Sequence, residues 1–259
     1  MSDAPRVRVE RRDALGRLTI ARPEKRNALD RQTAEELFVG LSTLEADPAV
    51  RVILVRGEGK DFCAGADLEA LSAMLDAPSE VHREDAETLG RVFLAMRTIV
   101  KPIVAAVQGR ALAGGCGLAL ACDLVLAHED AKFGFPEVKV GFVPAMVMTL
   151  LRRSVGEKHA ADLVLTGRVV GAEEGARLGL VSRILPGRTF EADVDRIVEE
   201  ISQSPKTAMA LTKWLFNKLD ELSFADGIAA GIVTNVEARL TEDFREGVRG
   251  FVARNKGVK

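Results

Sequence analysis

The chain has 259 residues, of which 47% are hydrophobic, and its formal net charge is -2. This length fits one large domain or a domain with an appendage, and the apolar fraction is enough for a sizeable core. Aromatic residues make up only 5% of the chain, and tyrosine is absent. The composition therefore gives no base-stacking platform and no basic surface, and we expect no nucleic-acid partner.

The sequence shows no sign of export or membrane insertion. Residues 1–6 lack the apolar core of a signal peptide. The longest apolar runs, at residues 111–122 and 140–151, are shorter than the roughly 20 residues that cross a bilayer. Cys63, Cys116 and Cys122 lack the spacing of a metal site or a disulfide framework. We expect a cytoplasmic protein without membrane contact or bound metal, in which these thiols are structural.

Predicted strands and helices alternate along most of the chain. Apolar runs predict strands at residues 18–20, 50–55, 103–107, 123–127 and 180–185. Residues 23–29 form a predicted loop, after which Asp30 can cap a helix. Residues 76–87 are polar and include Pro78, so we predict a mobile loop there, followed by a helix over residues 89–96.

The pattern becomes helical near Ser204, a predicted helix cap, with Pro205 at the first helical position. Residues 224–240 predict a second helix. The first of these helices carries an apolar stripe that we assign to core and subunit interface: Met209, Leu211, Trp214, Leu215 and Leu219. Periodicity alone thus predicts an α/β protein with a helical tail.

Two short segments of small residues each follow a predicted strand, at residues 62–68 and 109–117. Residues without bulk let a ligand approach the backbone closely. Both segments lead toward helix-forming sequence, whose unpaired N–H groups and positive dipole end favour negative charge. Two such amides directed at one oxygen would form an oxyanion hole. The alternative is two turns that are small only for packing.

These two segments, in this order, resemble the crotonase family, the enoyl-CoA hydratase/isomerases. Further blocks of the resemblance lie at residues 21–29, 122–123, 131–137, 165–168, 172–181 and 246–251. The resemblance implies an α/β fold, a crotonase-like superhelix of ββα units with a C-terminal helical trimerisation region. It assigns residues 1–200 to the core with the CoA site and residues 201–259 to oligomerisation, and implies a homo-trimer or homo-hexamer.

The resemblance also implies an acyl-CoA substrate and a set of catalytic groups. The backbone amides of Ala66 and Gly114 match the oxyanion hole, and Glu137 matches the residue that exchanges a proton with the α-carbon. Apolar neighbours such as Phe135 and Val138 are expected to raise the pKa of Glu137. Coenzyme A enters as part of the substrate, and no other cofactor is implied.

The resemblance places coenzyme A near five residues. Lys25 and Arg26 would lie by its 3′-phosphate-ADP part, as their charge suits a phosphate. Backbone around Ala28, Ala64 and Leu68 would line the path of the adenine and pantetheine groups.

The chain departs from the family's hydratases at two places. They usually carry a second glutamate, which orients the attacking water, where this chain has Gly117. They also continue past the first glutamate with a Pro-Gly-x-Gly-Gly turn, where residues 144–148 read Pro-Ala-Met-Val-Met. The added side-chain bulk in this segment is expected to narrow or reshape the acyl pocket, to which we assign Met146 and Val147.

Three functions remain open from the sequence. Overall similarity favours a hydratase that reversibly adds water to a 2-enoyl-CoA. The single glutamate favours a Δ3,Δ2-enoyl-CoA isomerase, in which Glu137 alone moves a proton between C2 and C4. A weakly active acyl-CoA-binding scaffold is the third alternative, although retention of Glu137 argues against it. Acyl-chain identity is not indicated.

Overall fold

A computed structural model describes residues 5–256, with side chains described to residue 254. Its strands are β1 (Val7–Arg12), β2 (Leu15–Ile20), β3 (Val52–Gly57), β4 (Ile103–Val107), β5 (Arg110–Leu112), β6 (Leu124–His128), β7 (Lys132–Gly134), β8 (Val169–Gly171) and β9 (Arg183–Leu185). A larger sheet has the order β1-β2-β3-β4-β6-β9, and a smaller sheet has the order β5-β7-β8. Only the β1–β2 and β7–β8 pairs are antiparallel.

The helices of the described chain surround these sheets. They are α1 (Arg31–Ala46), α2 (Leu68–Ser72), α3 (Ser79–Thr98), α4 (Gly114–Ala121), α5 (Ala145–Val155), α6 (Glu157–Thr166), α7 (Ala172–Leu178), α8 (Phe190–Ser202), α9 (Lys206–Lys218), α10 (Phe224–Leu240) and α11 (Glu242–Lys256). None of the helices among residues 5–256 is both long and apolar enough to cross a membrane.

The centre of the larger sheet is buried on both faces. Alternate residues of β3 and β4 point to opposite sides, so both strands are apolar throughout their buried length. Ile53 and Val55 face the main core, to which α1, α3 and α4 contribute. Val52 and Leu54 face a second core cluster built on α8. The continuous apolar run in the sequence therefore reflects a two-sided core.

Most predicted elements are confirmed, but the loop predicted at residues 76–87 is wrong. Helix α3 begins at Ser79 and continues to Thr98. The segment holds three glutamates, two alanines and one arginine, residue types that favour helix although the segment as a whole is polar. Its helix is held by the buried face further along, at Val92 and Met96. Helix α9 also differs, because Pro205 rather than Ser204 stands at its cap position.

Two buried lysines connect the helical tail to the core. Lys213 is the buried side chain of α9, and its Nζ donates to the Lys101 carbonyl at 2.9 Å and pairs with Asp123 at 2.7 Å. The Nζ of Lys101 donates to three carbonyl oxygens at the end of α1, those of Leu44, Glu45 and Asp47, each at 2.7 Å. Burial lowers the pKa of Lys101. The polar contacts of Lys213 thus attach α9 to the segment around Lys101 and Asp123.

We predict that Lys213→Met lowers the free energy of unfolding by about 2 kcal/mol. This is less than the loss for a fully buried pair, because the carboxylate left behind on Asp123 is 30% exposed. The matched control is Lys218→Met, in the same helix, which removes only an exposed pair with Glu221 and should cost less than about 0.5 kcal/mol. Equal losses in urea unfolding would contradict the anchoring role of Lys213.

Candidate active site

Parallel strand pairing gathers three chain segments at one edge. Strand β5 runs parallel to β7, with Leu112 opposite Gly134. Cys63 forms a parallel bridge with Ala111 on the other side of β5. Because the carboxyl ends of parallel strands meet at one edge, the residues that follow all emerge together there. The predicted residues Ala66, Gly114 and Glu137 belong to these three segments.

The peptide group of Ala66 is held in place by hydrogen bonds in which its own N–H takes no part. Leu29 donates its N–H to the Gly65 carbonyl at 2.7 Å, and Asp67 donates to the Leu29 carbonyl at 2.8 Å. The N–H of Ala66 finds no acceptor among the described residues. Gly65 has φ +96°, and a Cβ there would lie 2.7 Å from the Cβ of Ala113. Glycine is therefore required for this close approach.

Gly114 is the first residue of α4, so its N–H has no partner within the helix. No other acceptor for it is present in the described part of the chain. The preceding Ala113 has φ +50°, a conformation that costs a non-glycine residue about 1–3 kcal/mol. The Gly114 nitrogen lies 3.6 Å from the point where a Gly65 Cβ would be. The two free amides therefore belong to adjoining segments.

Glu137 follows β7 in a short 3-10 helix and is only 9% exposed. Its Oε2 atom is buried and has no hydrogen-bond partner within residues 5–256. Burial raises the pKa of Glu137, with an opposing effect from its own backbone N–H. Burial raises the pKa of Cys116 in α4 to about 12, and the charge of Glu137 adds to this effect. An unpaired buried carboxyl is costly unless a ligand uses it.

Val147 fills the space beside Gly117. A Cβ on Gly117 would lie 2.2 Å from Val147 Cγ1 and 3.4 Å from the ring of Phe93. Of the two side chains that the sequence assigned to the acyl pocket, Val147 is buried in this contact. Met146 is partly exposed and borders a groove of about 610 Å³ between α1, α3 and α5. Gly117 is thus glycine for a packing reason.

The residues assigned to coenzyme A lie along the two chain segments that flank Ala66. Lys25 pairs with Glu69 at 2.5 Å, and the neighbouring Arg26 is exposed with φ +52°. Leu68 is 63% exposed. All three side chains can meet a ligand that approaches from solvent.

The backbones of Ala28 and Ala64 are held by hydrogen bonds inside the protein. Ala28 is buried, donates its N–H to Lys25 at 3.1 Å and gives its carbonyl to Arg22. Ala64 donates its N–H to the Arg26 carbonyl at 3.0 Å. The structure thus uses both N–H groups internally.

The cysteines near the site are buried thiols. Burial raises the pKa of Cys63 to about 12 and that of Cys122 further. A protonated, buried thiol is a poor nucleophile, which agrees with a structural role. Within residues 5–256, no three His, Cys, Asp or Glu side chains are grouped so that they could hold a metal ion.

One buried ion pair beside Ala66 was not predicted from the sequence. Arg22 pairs with Asp67 at 2.8 Å, and both side chains are about nine-tenths buried. The available signal was small: an aspartate directly before a helix start, typical of an N-cap. Nothing local indicates that its partner lies 45 residues earlier.

We predict that Gly117→Ala destabilises the protein by about 1–3 kcal/mol, since its methyl group would overlap Val147. Adding Val147→Ala should leave the double variant more stable than the sum of the single losses, a coupling that urea unfolding can measure. Gly90→Ala is the control: its Cβ would make an ordinary 3.6 Å contact with Met146, so better helix propensity should stabilise it. Strict additivity would disprove the contact.

With this geometry in place, comparisons with known proteins identify the family. The sequence profile of the Enoyl-CoA hydratase/isomerase family matches residues 10–258. A Thermus thermophilus protein provisionally named enoyl-CoA hydratase is 45% identical over 230 residues, which cover 88% of this chain and 90% of that protein. The mitochondrial enoyl-CoA hydratase of Pongo abelii is 33% identical over 247 residues, covering 94% and 83%.

The fold comparison agrees. The crystal structure of an enoyl-CoA hydratase from Mycobacterium smegmatis superposes with a TM-score of 0.92 at 31% identity, covering 97% of each chain. The crotonase fold with its helical C-terminal region, predicted from the sequence, is confirmed. The chain belongs to the enoyl-CoA hydratase/isomerase family.

Proposed function

We propose that this chain is an enoyl-CoA hydratase that reversibly adds water to a 2-enoyl-CoA. One observation carries the proposal: the buried carboxyl of Glu137 has an unpartnered oxygen, and its segment follows β7, which pairs with the strand β5 that leads to Gly114. The names of the relatives from Pongo abelii and Mycobacterium smegmatis support the same reaction. Coenzyme A enters as part of the substrate, and the proposed steps use no other cofactor.

The amides of Ala66 and Gly114 are proposed to form the oxyanion hole. The thioester carbonyl oxygen would accept both N–H groups, and the dipole of α4 would add to them. As the enolate forms, negative charge grows on that oxygen. Fixed donors then stabilise the transition state more than the bound substrate, which is the requirement for catalysis.

Glu137 is proposed to transfer the proton. Its carboxylate takes a proton from water as the hydroxide forms a bond to C3. The electron pair of the C2–C3 double bond moves to give the enolate at the thioester oxygen. Protonated Glu137 then gives its proton to C2, the carbonyl forms again, and the net change is the addition of one water.

The rest of the thioester is placed by the exposed edge around Ala66. Lys25 and Arg26 would bind the phosphate groups, with Lys25 exchanging its exposed partner Glu69 for the ligand. Backbone at Ala28 and Ala64 and the side chain of Leu68 would line the path between. The acyl chain would run past Met146, whose sulfur lies close to α3 at the groove, while Val147 forms the wall behind it.

Double-bond isomerisation is a second candidate, favoured by the contact of Val147 with Gly117. No carboxylate can reach the site from residue 117, and valine fills that space. Incubation with crotonyl-CoA and with 3-hexenoyl-CoA in deuterated water separates the two reactions by mass spectrometry. A 3-hydroxyacyl product from crotonyl-CoA supports the hydratase. Conversion of 3-hexenoyl-CoA without any hydration of crotonyl-CoA refutes it in favour of the isomerase.

We further propose a trimer or hexamer and predict that light scattering detects one at micromolar concentration. The C-terminal helices leave large apolar side chains exposed, among them Trp214 on α9 and Phe224, Ile232 and Leu240 on α10. An apolar surface of this extent is typical of a subunit interface. A monomer at that concentration would rule out the assembly.

Glu137→Gln is predicted to keep thioester binding and to lose hydration activity by roughly 100- to 10,000-fold, since an amide cannot transfer the proton. It should slow by a similar factor the exchange of the α-protons of butyryl-CoA into deuterated water, which needs no attacking water. The control is Glu173→Gln, an exposed glutamate in α7. Exchange by Glu137→Gln within about threefold of wild type would exclude Glu137 as the base.

The same exchange is predicted to rise with pH. Butyryl-CoA loses an α-proton only to the ionised carboxylate, and burial raises the pKa of Glu137 above its ordinary value of 4.5. The rate should therefore increase as the pH passes through a midpoint above 4.5 and then level off. The residual rate of Glu137→Gln should not show this step. A wild-type midpoint at or below the ordinary value would contradict the role of burial.

A further inference from the structure

Given the proposed function, we propose that Arg22 is a positioning residue for the oxyanion hole: its buried guanidinium fixes the direction of the Ala66 amide through Asp67 and the residues around Leu29. Arg22 is buried, with only 8% of its surface exposed. Its effect on the reaction passes through the backbone that it holds.

The direction of the Ala66 N–H follows from its peptide plane. The carbonyl of that peptide belongs to Gly65 and accepts the N–H of Leu29 at 2.7 Å. In a planar trans peptide the N–H points opposite to the carbonyl, so it faces away from Leu29 and toward the open edge. Whatever holds Leu29 against residues 65–67 therefore also aims the amide.

Arg22 contacts both chain segments that are joined by the pairing of Leu29 with residues 65–67. It contacts the carbonyl of Ala28 and the carboxylate of Asp30, which flank Leu29 in the sequence. On the opposite segment it binds Asp67, the residue after Ala66, at 2.8 Å. A single planar guanidinium thus links the two chain segments whose pairing orients the amide.

The two carboxylates that Arg22 binds also start two helices. Asp30 caps α1 by accepting the N–H of Thr33 at 2.9 Å. Asp67 caps α2 by accepting the N–H groups of Glu69 and Ala70 at 3.1 and 3.3 Å. In each carboxylate Oδ1 caps the helix and Oδ2 faces Arg22. The guanidinium therefore links the N-terminus of α1 to the N-terminus of α2.

The two ends of this link do not depend equally on Arg22. Asp30 has a second cation, Arg6. For Asp67, Arg22 is the one ion-pair partner in the described part of the chain. Burial tends to raise the pKa of Asp67, but hydrogen bonds from Arg22 and from the helix hold it below the ordinary range. Loss of Arg22 thus leaves a buried carboxylate beside Ala66 without its counter-charge, which favours a shift of that segment.

The test compares Arg22→Met and Asp67→Asn with Arg6→Met as the matched control. Asparagine keeps the helix cap but loses the ion pair. Arg6→Met disturbs the same network only at Asp30. Two quantities are measured: the kcat and KM of butyryl-CoA α-proton exchange, and the infrared carbonyl frequency of bound butyryl-CoA labelled with carbon-13 at the thioester. Hydrogen bonds to that carbonyl lower its frequency.

We expect Arg22→Met and Asp67→Asn to reduce kcat about 10- to 100-fold while KM changes much less, because a misaimed donor fails mainly in the transition state. The carbonyl shift should shrink in both variants and stay at the wild-type value in Arg6→Met. Arg22→Lys should fall between wild type and Arg22→Met, since an ammonium keeps the charge but cannot bridge the same acceptors. The Arg22→Met/Asp67→Asn double variant should be no slower than the slower single variant.

Wild-type kcat and carbonyl shift in a folded Arg22→Met would overturn the proposal, as would an equal loss in Arg6→Met. If Arg22→Met does not fold, Asp67→Asn and Arg22→Lys decide by the same measurements. A wild-type protein that binds butyryl-CoA without any carbonyl shift would refute the proposed oxyanion hole, and this inference with it. Failure of the two proposals is therefore distinguishable.

Discussion

The candidate site depends on the parallel pairing of a few residues around β5. This short strand has β7 on one side and Cys63 on the other, and all three run in the same direction. Parallel neighbours end at the same edge, so three loops distant in sequence meet there. Two of them present backbone amides, whose N–H groups only a substitution to proline would remove. The small residues around Ala66 and Gly114 are therefore a condition of the geometry, since added bulk would separate the amides.

What the sequence predicted well was local or carried by motif resemblance. The apolar runs placed the buried strands, and the order of the two glycine-rich segments led to the family and its fold. The prediction that failed was based on polarity, which indicated a loop at residues 76–87. Helix α3 begins at Ser79, because the buried face in its later turns is enough to hold the whole helix. The roles of Ala66, Gly114, Glu137 and the residues assigned to coenzyme A stay predictions.

Other features could not be predicted because they join residues far apart in sequence. The partner of Asp67 is Arg22, 45 residues away, and no periodic pattern links an isolated arginine to one particular carboxylate. Lys213 reads as one polar residue in a helix, but the fold buries it against Asp123. In both cases a charge is buried only because its counter-charge arrives from another element. Such pairs form only when the fold brings the two elements together, so local sequence cannot predict them.

Gly117 and Val147 show how a missing catalytic group can be a packing solution. The sequence indicated only that a glutamate was absent at residue 117. In the structure, Val147 approaches so closely that even a methyl group on Gly117 would overlap it. A carboxylate could not be accommodated there without loss of that valine, and its burial would also be costly. Val147, which belongs to the second departure from the hydratase pattern, therefore fills the space beside the first. If Glu137 both accepts and returns the proton, as proposed above, both transfers occur from the side of the thioester that Glu137 faces. Hydroxyl and proton would then add to the same face of the double bond.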